Sequence, residues 1–136
     1  MEDSIVFEAS ISYFSEMMDW VQEKLQKYAP THKKGKLIQL ALEEAIVNVI
    51  SHAYIETLGL IELRVYFDQE NRYLEFIILD QGQPFNPLKA PCPDLKTKIE
   101  DRDIGGLGVH FLKKVTDHLT YERRENSNIL CIRNTI

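Results

Sequence analysis

Polar and apolar residues alternate over residues 4–10, with Ile5, Phe7 and Ala9 on one side and Ser4, Val6 and Glu8 on the other. That period of two predicts an opening strand. The period then lengthens. Phe14, Met17, Met18, Val21 and Leu25 recur at helical spacing, so a helix is expected to about Tyr28, capped by Ser12 or Ser15 and closed by Pro30. Trp20 lies within it and reads as a large core residue. A short basic linker covers residues 31–36. Residues 40–54, LALEEAIVNVISHAY, then form a helix with almost no polar face. Its stop is expected near residues 54–58, with Gly59 beyond. Residues 60–67 and 73–79 are rich in β-branched and aromatic side chains and predict a hairpin turning over residues 68–72. The second strand runs directly into Asp80-Gln81-Gly82. Residues 83–103 hold Pro84, Pro87, Pro91 and Pro93 together with Lys89, Lys96, Lys98 and Arg102, a loop of the length that often serves as a lid. The cluster Gly105-Gly106-Leu107-Gly108 feeds a helical pattern over residues 109–118. Strands over 119–124 and 129–132, joined by a turn at 125–128, close the chain.

One conflict stands out in this pattern. A helix that is apolar on every side is normally buried, yet Glu44 and Asn48 lie on it at a spacing of four, one above the other. A carboxylate and a carboxamide in such surroundings are costly unless something satisfies them. Either they bond to other protein groups, or they line a cavity that holds a polar ligand.

Composition narrows the choice. A chain of 136 residues, 44% hydrophobic and 27% charged, suits one globular domain spanning residues 1–136. A net charge of -5 without a basic run argues against nucleic acid. Charged residues interrupt each apolar stretch before it reaches membrane-spanning length, and the acidic N-terminus lacks a signal-peptide core. Cys92 and Cys131 form no CxxC pair, which fits a reducing, cytoplasmic setting and argues against structural zinc. His32, His110 and His118 show no metal spacing. His52, one turn past Asn48, is either a packed helix-end residue or a neighbour of bound phosphate.

Three signals remain in a fixed order: Glu44 to Asn48 on a helix, Asp80-x-Gly82 at a strand end, and a glycine cluster opening a helix. Each has a use with a nucleotide. A strand-end aspartate accepts a hydrogen bond from the exocyclic amine of adenine. Gly82 allows close backbone approach. A glycine-rich turn before a helix presents N–H groups and a positive dipole end to phosphates. Asn48 offers Mg²⁺ an uncharged oxygen, and Glu44 is placed to act as a general base beside the γ-phosphate.

The set resembles the GHKL, or Bergerat-fold, ATPases. Glu44 to Asn48 resembles their N box, Asp80-Gln81-Gly82 their first glycine box, and Gly106-Leu107-Gly108 their second. LEEAIVNVISHAY and IGGLGVHFLKKVTD are most similar to the anti-sigma factor serine kinases. The resemblance implies an α/β (α+β) two-layer sandwich, with a mixed, mostly antiparallel sheet carrying helices on one face. It implies ATP and Mg²⁺ as ligands, with Asp80 and Gly82 at adenine, Asn48 at the metal, and Gly106, Leu107, Gly108 and Val109 at the phosphates. Glu44 would be the catalytic base. The serine kinases this chain resembles often carry an arginine just before the second glycine box; here Ile104 and Gly105 hold those places, and Arg102 is the nearest substitute. A threonine of the last strand, near adenine, has Asn128 as its counterpart. The implied partners are a STAS-domain antagonist as substrate, a sigma factor, and a second copy of the chain in a homodimer. Two alternatives stay open: a non-catalytic, nucleotide-dependent binding module, and a fragment of a larger sensor kinase, against which the complete set of boxes and the short termini argue.

Overall fold

The hairpin of β2 (Leu60–Asp68) and β3 (Tyr73–Asp80) is the centre of the molecule. Its turn is closed by Asp68, whose two carboxylate oxygens accept from the backbone and side-chain nitrogens of Asn71 at 2.8 and 3.0 Å, and Arg72 takes a left-handed φ of 54° there. β1 (Glu2–Glu8) pairs with β2 on one side. On the other, β3 pairs with β5 (Ser127–Thr135), and β5 with β4 (His118–Arg124). The sheet order is β1-β2-β3-β5-β4, antiparallel at every pairing. These elements come from a computed structural model, which describes residues 1–31, 33–55, 57–89 and 106–136.

Alternation decides which face of the sheet is covered. Ile61, Leu63 and Val65 of β2, Leu74, Phe76 and Ile78 of β3, and Leu130 and Ile132 of β5 all point to one side and are buried. Against them pack Met17, Trp20, Val21 and Leu25 of α1 (Phe14–Tyr28) and Ile38, Ala41, Leu42, Ala45, Ile46 and Val49 of α2 (Gly35–His52), with Leu112 and Val115 of α3 (Gly106–Val115). The expected two-layer sandwich, with helices on one face, is therefore present. Trp20 belongs to the core.

The same alternation carries polar groups inward at the strand ends. β3 continues Leu74, Phe76, Ile78 into Asp80, and β5 runs from Asn128 through Leu130 and Ile132 to Asn134. All three polar residues are buried. At one end of the face, Asn134 donates from Nδ2 to the Val115 carbonyl at 2.8 Å and so satisfies the last turn of α3. At the other end, Asp80 and Asn128 are cross-strand partners.

Several expected boundaries move. The Ser10 side chain, not Ser12 or Ser15, caps a 3₁₀ turn (Ile11–Tyr13) that leads into α1. Helix α2 stops at His52, well before Gly59, because the chain there is taken over by tertiary bonds: the Ala53 carbonyl accepts from the Gln83 amide at 2.8 Å. α2 is also less enclosed than its composition predicts, since Leu37 and Leu40 are 41% and 49% exposed. Helix α3 begins at Gly106 and ends at Val115, not His118. Asn128, expected in a turn, lies inside β5.

Candidate functional site

The end of α2, the end of β3 and the facing ends of β4 and β5 meet around one small cavity. Ala45, Asn48, Val49 and Ala53 line it from the helix, Ile78 and Asp80 from β3, and Tyr121, Asn128 and Leu130 from the paired strands. Phe85 and Pro87 close the remaining side. The enclosed space is about 20 Å³, enough for a single water and far below a purine ring. Phe85 stacks on the His52 ring at 4.9 Å between centroids. His52 is thus an exposed helix-end ring in a stack.

Asp80 is 5% exposed. Its Oδ1 accepts from the Gly82 amide at 2.9 Å and from Asn128 Nδ2 at 2.8 Å. The turn that follows is pinned from several directions. Tyr54 Oη accepts from the Gln81 amide at 2.8 Å and donates to the Leu60 carbonyl at 2.6 Å. Arg123 donates from Nη1 to the Gly82 carbonyl at 2.8 Å. Gln83 Nε2 donates to the His52 carbonyl at 2.7 Å. Gly82 is needed for a reason the sequence did not give: a Cβ at this position would meet the Ala53 carbonyl oxygen at 2.1 Å. The close backbone approach is to the end of α2.

Glu44 and Asn48 lie on one face of α2, as their spacing requires. Asn48 is 5% exposed and Glu44 half-buried. Among the described residues, neither Glu44 Oε1 nor Asn48 Nδ2 has a hydrogen-bond partner. Burial pushes the Glu44 carboxyl above its ordinary value of 4.5; the Glu43 charge adds to the rise and His52 opposes it. The carboxyl is thereby a stronger base than an exposed one. Asn48 lines the cavity, while Glu44 sits one turn back along the helix, outside its lining.

The remaining expected residues divide. Gly106, Leu107 and Gly108 form the first turn of α3, and Val109 behind them is buried. This turn carries no acidic residue. Lys113 ties α3 to the loop after β3 by donating to the Leu88 carbonyl at 2.9 Å. Arg102, together with Lys96, Lys98, Cys92 and His32, lies outside the described residues. Cys131 is a free thiol on β5 whose pKa burial raises. Tyr54, Tyr121 and Arg123 were not singled out from the sequence, although Leu119, Tyr121 and Arg123 alternate toward the cavity side of β4 and that period was readable.

The family model for the histidine kinase-like ATPase domain matches residues 7–134. The chain belongs to that family. Among curated relatives, it is 29% identical over 95 residues to the serine/threonine-protein kinase BtrW of Bordetella bronchiseptica, covering 70% of this chain and 66% of BtrW. The serine-protein kinase RsbW of Bacillus mycoides is 28% identical over 97 residues, covering 68% of this chain and 59% of that protein. RsbW of Halalkalibacterium halodurans is 33% identical over 104 residues, covering 68% and 57%. The chain thus spans about 57–66% of the length of these relatives. Among solved structures, the histidine kinase domain of the Erythrobacter litoralis EL346 blue-light activated histidine kinase superposes with a TM-score of 0.55 at 13% identity, covering 90% of this chain and 58% of that one. That likeness speaks for the fold. The membership agrees with the likeness to GHKL ATPases drawn from the three sequence boxes. No helix among the described residues is long and apolar enough to cross a membrane.

Proposed function

We propose that this chain is an ATP-binding anti-sigma regulatory protein with serine kinase activity, which transfers the γ-phosphate of ATP to a serine of a STAS-domain antagonist and sequesters a sigma factor. The observation that carries the reading is the pair of polar atoms left unbonded on α2, Glu44 Oε1 and Asn48 Nδ2, on the helix that walls the Asp80 cavity. Native proteins seldom bury such atoms without a partner, and a nucleotide with its metal supplies one.

Asp80 reads the base amine through its carboxylate, and the backbone of residues 106–109 at the start of α3 holds phosphate oxygens. Mg²⁺, when bound, neutralises phosphate charge and orients the terminal phosphoryl group. Asn48 is the residue to hold it, because a carboxamide suits a hard cation and its amide presents either atom by a half-turn of the side chain. Glu44 takes the proton from the incoming serine hydroxyl as its oxygen bonds to phosphorus and the bond to ADP breaks. Its raised basicity suits that step.

The test is incubation with γ-labelled ATP, Mg²⁺ and STAS-domain proteins encoded nearby. Label on a serine of one of them is the expected result. ATP-dependent partner binding without transfer would favour the non-catalytic module.

A further inference from the structure

Asn128 was expected to contact the base. Its side-chain amide makes four hydrogen bonds within the protein. Nδ2 donates to Asp80 Oδ1 at 2.8 Å and to the Gln83 carbonyl at 2.8 Å. Oδ1 accepts from Tyr121 Oη at 2.5 Å and from the Phe85 amide at 3.4 Å. A carboxamide has two N–H donors and two strong acceptor positions, and all are used. Tyr121 and the Phe85 amide both place a donor against Oδ1, and so fix which end of the amide faces Asp80. Were the amide turned over, its oxygen would face the carboxylate and the Gln83 carbonyl, and its NH₂ would face the Phe85 N–H. That arrangement sets acceptor against acceptor and donor against donor.

The consequence reaches Asp80. Oδ1 is saturated by Asn128 Nδ2 and the Gly82 amide. Among the described residues, no donor reaches Oδ2. The carboxylate is held so that its remaining oxygen, a pure acceptor, is the one available to a ligand.

We propose that Tyr121, acting through Asn128, is a positioning residue that fixes the Asp80 carboxylate and thereby makes the site select a purine with an amino group at position 6 over one with a carbonyl there. This rests on the nucleotide reading above and goes beyond it by assigning base selectivity to the hydrogen bonds that Tyr121 and Asn128 make within the protein. A site built to accept a hydrogen bond rejects a ligand that presents another acceptor, because the buried group then stays unpaired.

Calorimetric titration of the full chain with Mg·ATP and Mg·ITP tests the assignment, since the two nucleotides differ at position 6. The wild type is expected to bind ATP well above ITP. Tyr121→Phe removes one hydroxyl and leaves the ring in place. It should weaken ATP about five-fold, the loss of one buried hydrogen bond, and leave ITP unchanged, so the ATP:ITP ratio falls by that factor. Asn128→Thr should lower the ratio further, because one hydroxyl cannot donate to both Asp80 and the Gln83 carbonyl. In that background Tyr121→Phe should have no added effect on the ratio. A Tyr121 that merely supports the fold would weaken both nucleotides together. An unchanged ratio in Tyr121→Phe, or equal binding of ATP and ITP by the wild type, overturns the proposal while the kinase reading stands. Failure of the wild type to bind either nucleotide overturns both.

Discussion

Glu44→Gln should make the protein more stable at neutral pH while abolishing phosphoryl transfer. The carboxyl is half-buried on α2, one of its oxygens has no partner among the described residues, and the Glu43 charge lies beside it. Leaving a buried polar atom unsatisfied costs about 1–3 kcal/mol. Partial exposure places Glu44 near the lower end, and an uncharged amide is cheaper to desolvate than a carboxylate. A gain of about 1 kcal/mol corresponds to roughly 3 °C in melting temperature for a domain of this size. The pH dependence gives a sharper test than the size. Because burial raises the folded-state pKa above the ordinary 4.5, the native protein binds more protons than the unfolded chain between those two values. Wild-type stability therefore falls as pH rises through that window, and the Gln variant lacks this contribution. Melting curves by circular dichroism from acid to neutral pH should show the two proteins converging below 4.5 and the variant ahead above the raised value. A variant less stable than wild type at neutral pH would refute the reasoning, since it would mean that the carboxylate gains more from the protein than it loses.

Other substitutions probe separate parts of the account. Asp80→Asn should abolish measurable ATP binding in calorimetry, because it puts an NH₂ donor where the base amine requires an acceptor. Gly82→Ala should cost roughly 2 kcal/mol, an overpacking value, and lower the melting temperature, because its Cβ would sit 2.1 Å from the Ala53 carbonyl oxygen, a backbone atom that cannot swing aside. Phe85→Ala removes the ring that narrows the cavity and stacks on His52; ATP association measured by stopped flow should speed up several-fold.

Legibility in the sequence followed the strength of the local period. The β2–β3 hairpin was plain because β-branched runs flank a polar turn, and the structure pairs Asp68 with Tyr73 across it. The end of α2 was not, because Gly59 looks like a helix stop while the actual end is fixed by bonds from Gln83 and by the space that Gly82 leaves for Ala53. Those partners are distant in sequence. β5 was read too short because Asn128 and Asn134 look like turn residues; pairing with β3 holds them in the sheet, and their side chains find partners in Asp80, Gln83 and Val115. Glu44, Asn48 and Asp80 were visible as polar residues in apolar runs. Tyr121 and Arg123 were not, since their importance lies in what they touch across the sheet: Asn128 and Gly82. The contact of Gly82 with the Ala53 carbonyl was hidden in the same way, because that partner is distant in sequence.

The most direct measurement is a calorimetric titration of the wild-type chain with Mg·ATP, run in parallel on Asn48→Leu. The unbonded amide on α2 predicts saturable heat at one site per chain in the wild type and its loss in the variant, with the variant still folded by circular dichroism. Equal heats from both proteins, or none from the wild type, would mean that the polar atoms on this apolar helix serve no nucleotide.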